Sequence, residues 1–292
     1  MRLDDAPESG NVDDRRGMGT KLAVGGGGGV VLLILGLIFG VDFGGGKGGG
    51  GGGPGPDAAN TGAPPDPETK AFASKVLGTL EVVWTDEFQK HHTEYGVRWR
   101  APKMVLFSDE VNTGCGRAPS AVGPFYCPAD EHLYLDPTFF DELERKLGGS
   151  KAPFSQAYVV AHEVGHHVQN LLGYNAVVEK ARGQGKNAGN EASVRLELMA
   201  DYLAGVWAFH GQKKFNFVES GDFENAIKSA NSIGDDRLQK RSGGFVHPEQ
   251  FTHGTSAQRV KYFTDGFKTG DASKARLDRF FKAPIRNGEL VD

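Results

Sequence analysis

Residues 157–170, AYVVAHEVGHHVQN, contain the pattern on which the interpretation of the whole chain depends. The apolar residues before the histidines predict a buried helix. His162 and His166 are four residues apart, so both imidazoles lie on one face of that helix and can reach the same ion. Glu163 lies about 100° further around the helix, where it can hold a water molecule beside the ion. Two histidines on one helix also occur as hydrogen-bonded core residues, so a third ligand is needed to decide between the two interpretations.

A third ligand is found in a second predicted helix, over 188–210. Its segment NEASVRLELMADYLAGVWAF (190–209) places Glu197 and Asp201 four residues apart on an otherwise apolar face. Carboxylates on a buried stripe are normally paired or bound to a metal. Glu197 suits a third zinc ligand, which leaves one position open for water, and Asp201 can accept the free ring N–H of His162. A solvated helix face or a capping pair is the alternative for the two acids.

These motifs resemble those of the gluzincin metallopeptidases. Together, TGCG, GPFYCP, YLD, AHEVGHHVQ, RLELMADYLAGVW and FTHGTSAQR resemble more closely the neutral zinc metallopeptidase family of bacterial membrane-anchored proteins, over residues 70–282 and the Gly-rich region before them. The resemblance implies a Zn²⁺-dependent enzyme that hydrolyses protein or peptide substrates, with Glu163 as the catalytic acid/base and three metal ligands: His162, His166 and Glu197. Two other functions stay open, a non-catalytic zinc-binding envelope protein and a zinc hydrolase of another amide, such as cell-wall peptide.

Peptide hydrolysis also needs a hydrogen-bond donor for the tetrahedral intermediate. His253 and Arg259 are the first candidates, because a loop before a predicted helix could place their side chains in the cleft; His247 and Tyr202 are weaker candidates. An ordinary loop or helix-capping role for His253 stays open. The fold resemblance further implies that an edge strand, either 103–108 (KMVLFS) or 132–136 (HLYLD), pairs with an extended substrate.

The remaining patterns predict an α+β fold, which the resemblance narrows to a mainly helical, zincin-like domain with a small β-sheet. Strands are predicted at 103–108, 124–127 and 132–136. Cys115 and Cys127 lie in the loop region between these strands, and we predict a disulfide, with two free core thiols as the alternative. Apolar spacing and helix-end residues predict helices over 69–92, 137–147, 153–172, 188–210, 223–232, 256–269 and 272–281.

The first 66 residues differ in composition from the rest. Nineteen of the 43 glycines lie between residues 17 and 55, and residues 22–41 contain no charge. At about 1.5 Å per residue, twenty residues span a hydrocarbon core of roughly 30 Å, which favours an uncleaved transmembrane helix over a signal peptide or a Gly-rich linker. The net charge of −4, without a basic run, argues against nucleic-acid binding.

The distribution of Lys and Arg predicts the orientation of this helix. Four cations precede the apolar run and only Lys47 follows within twenty residues, so the N-terminus is expected in the cytoplasm. The predicted organisation is a cytoplasmic segment (1–21), a single transmembrane helix (22–41), a flexible Gly/Pro-rich tether (42–66) and a periplasmic or extracellular zinc metallopeptidase domain (67–292). The sequence specifies neither the substrate nor the oligomeric state.

Overall fold

The computed structural model describes residues 1–17, 66–241, 246–286 and 289–290. The predicted transmembrane helix at 22–41, and all of the predicted tether except its last residue, lie outside these ranges. Among the described residues, no helix combines the length and the hydropathy that a bilayer crossing requires.

The described chain is mainly helical, with small β-sheets, in agreement with the predicted α+β class. The helices are α1 (Pro67–Lys90), α2 (His92–Tyr95), α3 (Phe139–Arg145), α4 (Pro153–Leu171), α5 (Tyr174–Arg182), α6 (Lys186–Phe215), α7 (Asp222–Ser232), α8 (Asp235–Arg241), α9 (Ser256–Thr269) and α10 (Lys274–Lys282). The predicted helices are present, with bounds shifted by a few residues at most positions. The short helices α2, α5 and α8 were not predicted.

The strands are β1 (Val12–Asp14), β2 (Lys103–Leu106), β3 (Glu110–Thr113), β4 (Gly116–Pro119), β5 (Phe125–Cys127), β6 (His132–Leu135), β7 (Ile285–Arg286) and β8 (Glu289–Leu290). The largest sheet has four strands in the order β1–β2–β6–β5, in which β5 runs antiparallel to the other three. The expectation that 103–108 or 132–136 forms a free edge is wrong. Strand β1 covers one side of β2, β6 lies between β2 and β5, and β5 is the edge opposite β1.

Helix α4 is the central element of the core. Pro153 occupies its first turn, where a missing N–H costs nothing, and the left-handed Gly173 follows its end. Nearly every residue from Phe154 to Leu171 is buried, including both histidines and the glutamate of the motif. A helix buried on all sides has to be packed by other elements all around. Helices α1, α6 and α7 and strand β5 surround it and hold the motif in place.

Helices α6 and α9 pack with their backbones in direct contact. A Cβ atom added to Gly266 would lie 2.0 Å from the carbonyl oxygen of Tyr202, and one added to Gly205 would lie 2.2 Å from that of Phe263. Glycine is therefore required at both positions for this close approach. The contact brings the beginning of α9, and the loop before it, close to the middle of α6, where Glu197 and Asp201 lie.

Cys115 and Cys127 form a disulfide with a Cα–Cα distance of 5.8 Å. Cys115 lies in the turn of the β3–β4 hairpin and Cys127 ends β5, so the bond ties the hairpin to the main sheet. The hairpin itself was not predicted, because its Gly/Pro-rich sequence is typical of a loop. In the chain-entropy model, closing so short a loop stabilises the fold by about 2–3 kcal/mol.

We expect the purified protein to show no free thiol under denaturing, non-reducing conditions. The chain contains two cysteines, so reduction should release two thiols per chain. Titration with a thiol reagent before and after reduction provides the measurement and its control. Two thiols per chain before reduction would contradict the disulfide.

Candidate metal centre

Two neighbouring helices bring the three predicted metal ligands together. One ligand atom each from His162, His166 and Glu197 lies within 4.8 Å of the other two. The Nε2 atom of His162 is 3.2 Å from one oxygen of Glu197, and the Nε2 atom of His166 is 3.4 Å from the other. All three residues are at most 6% exposed. The two imidazoles and the carboxylate therefore face one another in the interior, between α4 and α6.

The hydrogen bonds of the His166 ring show whether these groups fit a metal. Its Nδ1–H donates to the side-chain oxygen of Gln169 at 2.9 Å, and its buried Nε2 has no hydrogen-bond partner among the described residues. A buried polar atom without a partner is costly, and a metal ion bound to Nε2 would remove that cost. Two imidazoles and one carboxylate are also the ligand set of catalytic zinc sites that keep a position open for water. The residues present fit zinc.

His162 is oriented by Asp201, as the spacing predicts. Its Nδ1–H donates to Asp201 at 2.9 Å, so Nε2 is the ring nitrogen that faces Glu197 and that a metal ion would bind. Although burial alone would lower the pKa of His162, the carboxylates of Asp201 and Glu197 raise it to about 10. A metal ion must displace this proton, because a ligating imidazole is neutral.

Asp201 is fully buried and belongs to a larger hydrogen-bond network. Arg259 donates to both of its oxygens, at 2.8 and 3.0 Å, and the Tyr158 hydroxyl donates to it at 2.5 Å. The guanidinium compensates the buried charge of the carboxylate. Arg259, predicted as a donor to the reaction intermediate, is thus engaged with Asp201 behind His162. Tyr158 and its hydrogen bond were not predicted; a tyrosine one turn before His162 is the signal that could have found them.

His253 lies in the same small cavity as Glu163, His162 and Glu197. Its Nδ1–H donates to Asp235 at 2.9 Å, and its buried Nε2 has no hydrogen-bond partner among the described residues. The other oxygen of Asp235 accepts the backbone N–H groups of residues 252, 253 and 254, at 2.7, 2.7 and 3.2 Å. These bonds hold the ring rigidly. Asp235 was missed because it lies 18 residues before His253 and no local pattern joins them.

The two weaker candidates, His247 and Tyr202, make other contacts. His247 is exposed in a loop and its ring contacts Glu249 at 3.2 Å. The Tyr202 hydroxyl donates to the backbone oxygen of Asp271 at 2.7 Å. Neither residue lines the cavity that contains His253 and Glu163.

Glu163 is buried beside the three ligands, and burial raises its pKa to about 8. His162 and a backbone hydrogen bond from Tyr126 oppose this shift. A pKa near neutrality suits a group that both takes and releases a proton during a reaction. Strand β5 packs against α4, so this edge strand of the four-stranded sheet lies next to the helix that carries Glu163.

A larger cavity of about 540 Å³ adjoins the site. His166 and Glu197 form its inner wall, and Tyr126, Val178 and Leu196 contribute apolar surface. Its volume is in the range of pockets that bind small ligands or substrate side chains. Helix α5, which carries Val178, forms one side of this cavity although no helix was predicted there.

Comparison with known proteins points to the same metal as the ligand set does. A family model described as "Putative neutral zinc metallopeptidase" matches residues 1–280. The chain belongs to this family. The match includes the two histidines, Glu197 and the segment before residue 17.

Two relatives show how far the similarity extends. "Uncharacterized protein YpfJ" of Escherichia coli (strain K12) is 41% identical over 287 residues, which cover 94% of this chain and 97% of the relative. "Uncharacterized protein Rv2575" of Mycobacterium tuberculosis (strain H37Rv) is 47% identical over 179 residues, which cover 58% of this chain and 60% of the relative. No solved structure matches the chain significantly.

Proposed function

We propose that this protein is a zinc-dependent metallopeptidase that hydrolyses peptide bonds, with Glu163 as the general base. The observation that carries the proposal is the meeting of three buried ligand atoms within 4.8 Å of one another, with a buried carboxylate beside them. When bound there, zinc would lower the pKa of a water ligand toward neutrality and polarise the substrate carbonyl. A purely structural zinc site has no use for the adjacent Glu163.

Glu163 handles the protons of the reaction. It accepts a proton from the water that attacks the peptide carbonyl, and it then donates this proton to the nitrogen of the departing amine. Burial raises the pKa of Glu163, which favours the protonated carboxyl that the second transfer requires. Glu163 lines the small cavity that also contains His253.

His253 is proposed to stabilise the oxyanion of the tetrahedral intermediate. Its Nε2 lies in the cavity with Glu163, and Asp235 fixes the ring from the other side. An N–H at this position can donate to an oxygen on which negative charge develops. Asp235 acts only through His253, as a positioning residue.

We expect His253→Ala to lower kcat by roughly 10²- to 10³-fold, the usual effect of removing one oxyanion donor. Zinc content should stay near that of the unaltered protein, because His253 is not among the three clustered ligands. Asp235→Asn should lower kcat less, since the ring is retained but held less firmly. His247→Ala, which alters a nearby histidine outside the cavity, is the matched control. Full kcat in His253→Ala, or loss of its zinc, would contradict the role.

The substrate is proposed to bind in extended form along β5. This strand forms the end of the four-stranded sheet and packs against α4, the helix that carries Glu163. Pairing with the strand edge would supply affinity through main-chain hydrogen bonds, and the adjoining cavity could receive a substrate side chain. Val178 and Leu196 on the cavity wall favour an apolar side chain at that position.

We also propose that the domain works outside the cytoplasm, in the periplasm or at the cell surface, attached to the membrane through the apolar segment 22–41. Disulfides persist in oxidising compartments, so the bond between Cys115 and Cys127 supports this location.

The proposed function is tested by elemental analysis and a cleavage assay on the purified full chain. We expect about one zinc per chain and cleavage of a peptide library that a chelator stops and added zinc restores. One zinc without any cleavage would instead favour a non-catalytic zinc-binding protein. Cleavage confined to cell-wall peptides would favour a hydrolase of that amide, and absence of zinc would contradict the proposal.

A further inference from the structure

Residues 1–17 are packed onto the domain formed by the rest of the described chain. Strand β1 runs parallel to β2, with Val12 opposite Met104 and Asp14 opposite Leu106. The Met104 N–H donates to the backbone oxygen of Asn11 at 2.9 Å, and the N–H of residue 15 donates to that of Leu106 at 2.8 Å. The segment therefore completes the main sheet on the side opposite the proposed substrate edge.

Helix α1 holds the same segment from a second direction. The N–H of Ser9 donates to the backbone oxygen of Ser74 at 3.0 Å, and the Ser74 hydroxyl donates back to that of Ser9 at 2.8 Å. The side chains of Ser9 and Asn11 both donate to Glu81 at 2.7 Å. These are specific polar contacts on a partly buried surface.

A glycine in the middle of α1 makes room for the segment. A Cβ atom added to Gly78 would lie 2.1 Å from the backbone oxygen of Pro7. Glycine inside a helix normally costs stability relative to alanine, so its presence here has a packing reason. The surface of α1 is therefore shaped for the backbone that lies on it.

The end of the segment meets the beginning of the main domain. Arg16 is buried, forms two hydrogen bonds with Asp14 at 2.7 and 2.9 Å, and donates to the backbone oxygen of Asp66 at 3.0 Å. Asp66 is the N-cap of α1. Residues 16 and 66 are thus direct neighbours, although 49 residues separate them along the chain.

We propose that residues 1–17 are a structural part of the domain and lie on the same side of the membrane as it does. A single crossing by 22–41 would place residues 1–21 and 67–292 on opposite sides of roughly 30 Å of hydrocarbon. The contacts of Arg16 and β1 cannot form across that distance, so the docked segment and a single crossing exclude each other. The inference rests on these contacts and is independent of the proposed catalytic function.

The positive-inside prediction fails under this arrangement for a physical reason. The rule counts cations in short loops that are free to interact with the membrane and the translocation machinery. Arg16 is instead buried and paired with Asp14, and Arg15 is paired with Asp13 at 2.8 Å. The family match, which extends over residues 1–17, agrees with a segment that belongs to the domain.

Cysteine labelling of the full chain in intact cells tests the inference. Gly10 is exposed, a Cβ atom added to it would meet no atom of the described residues within 4 Å, and Val177 is 42% exposed on the main domain. Gly10→Cys and Val177→Cys should react with a membrane-impermeant maleimide under the same conditions, either both in intact cells or both only after permeabilisation. The unaltered chain, with its disulfide, provides the unlabelled control.

Labelling of the two positions from opposite sides would overturn the inference. Labelling of both only after permeabilisation would support it while contradicting the proposed location outside the cytoplasm, so the two proposals fail separately.

A stability measurement on the purified full chain gives a second test. The direction of the change in Tm distinguishes a docked segment from an undocked one. In a docked molecule, Gly78→Ala should lower Tm, because the added methyl collides with the backbone of Pro7. In an undocked molecule the same change should raise Tm, because alanine is the better helix former. Gly10→Ala, whose added methyl approaches no atom in the described part of the chain within 4 Å, should leave Tm almost unchanged. A raised Tm for Gly78→Ala would contradict the docked arrangement.

Discussion

Glu163→Gln should lower kcat by roughly 10²- to 10⁴-fold, the usual contribution of a general acid/base, and leave about one zinc per chain. Glutamine has nearly the shape of glutamate and should fit the same buried position. It cannot take a proton from the attacking water. Zinc analysis and initial-rate measurements on the same preparation provide the two readouts.

The control for this variant is Glu68→Gln, which removes an acidic charge from an exposed position in the first turn of α1. It should retain full activity and full zinc. If Glu163→Gln loses its metal, Glu163 is a ligand and the proposed role is wrong. If it retains the activity of the unaltered protein, some other group is the base.

Glu197 and Asp201 should respond differently to substitution although they are only one helical turn apart. Glu197→Ala is expected to remove most of the zinc and all activity, because it opens the coordination sphere. Asp201→Asn should weaken zinc affinity by roughly 10- to 100-fold, and excess zinc should restore part of the activity. The asparagine keeps an acceptor for His162 but lacks the charge that fixes the ring. Zinc titration of both variants, followed by activity, measures the difference.

Asp201→Ala should have an additional effect that the sequence did not predict. It leaves the buried guanidinium of Arg259 without its carboxylate, and breaking such a pair from one side typically costs about 3–5 kcal/mol of stability. Thermal unfolding should therefore separate Asp201→Ala from Asp201→Asn. If Asp201→Asn is irreversibly zinc-free while Glu197→Ala still binds zinc tightly, the roles of the two acids are exchanged.

Much of the candidate site could be predicted because its groups lie at short, regular spacings on single helices. Residues four apart on a helix point the same way whatever the helix packs against. The pairing of His162 with His166, and of Glu197 with Asp201, follows from this rule once apolar spacing has predicted the two helices. The strands at 103–106, 125–127 and 132–135 follow from their short apolar runs. Local pattern was sufficient for all of these.

Tertiary packing was needed for the contacts that join distant parts of the chain. Asp235 reaches His253, Arg259 neutralises Asp201, and Gly205 meets α9, yet no periodicity in the sequence relates these partners. The largest departure from prediction is residues 1–17. The residues around Val12 are mostly polar and have no strand pattern of their own. They form β1 only because β2 presents an unpaired edge and α1 a glycine at the point of contact. An edge strand of this kind is stabilised by its neighbours, so its sequence alone does not reveal it.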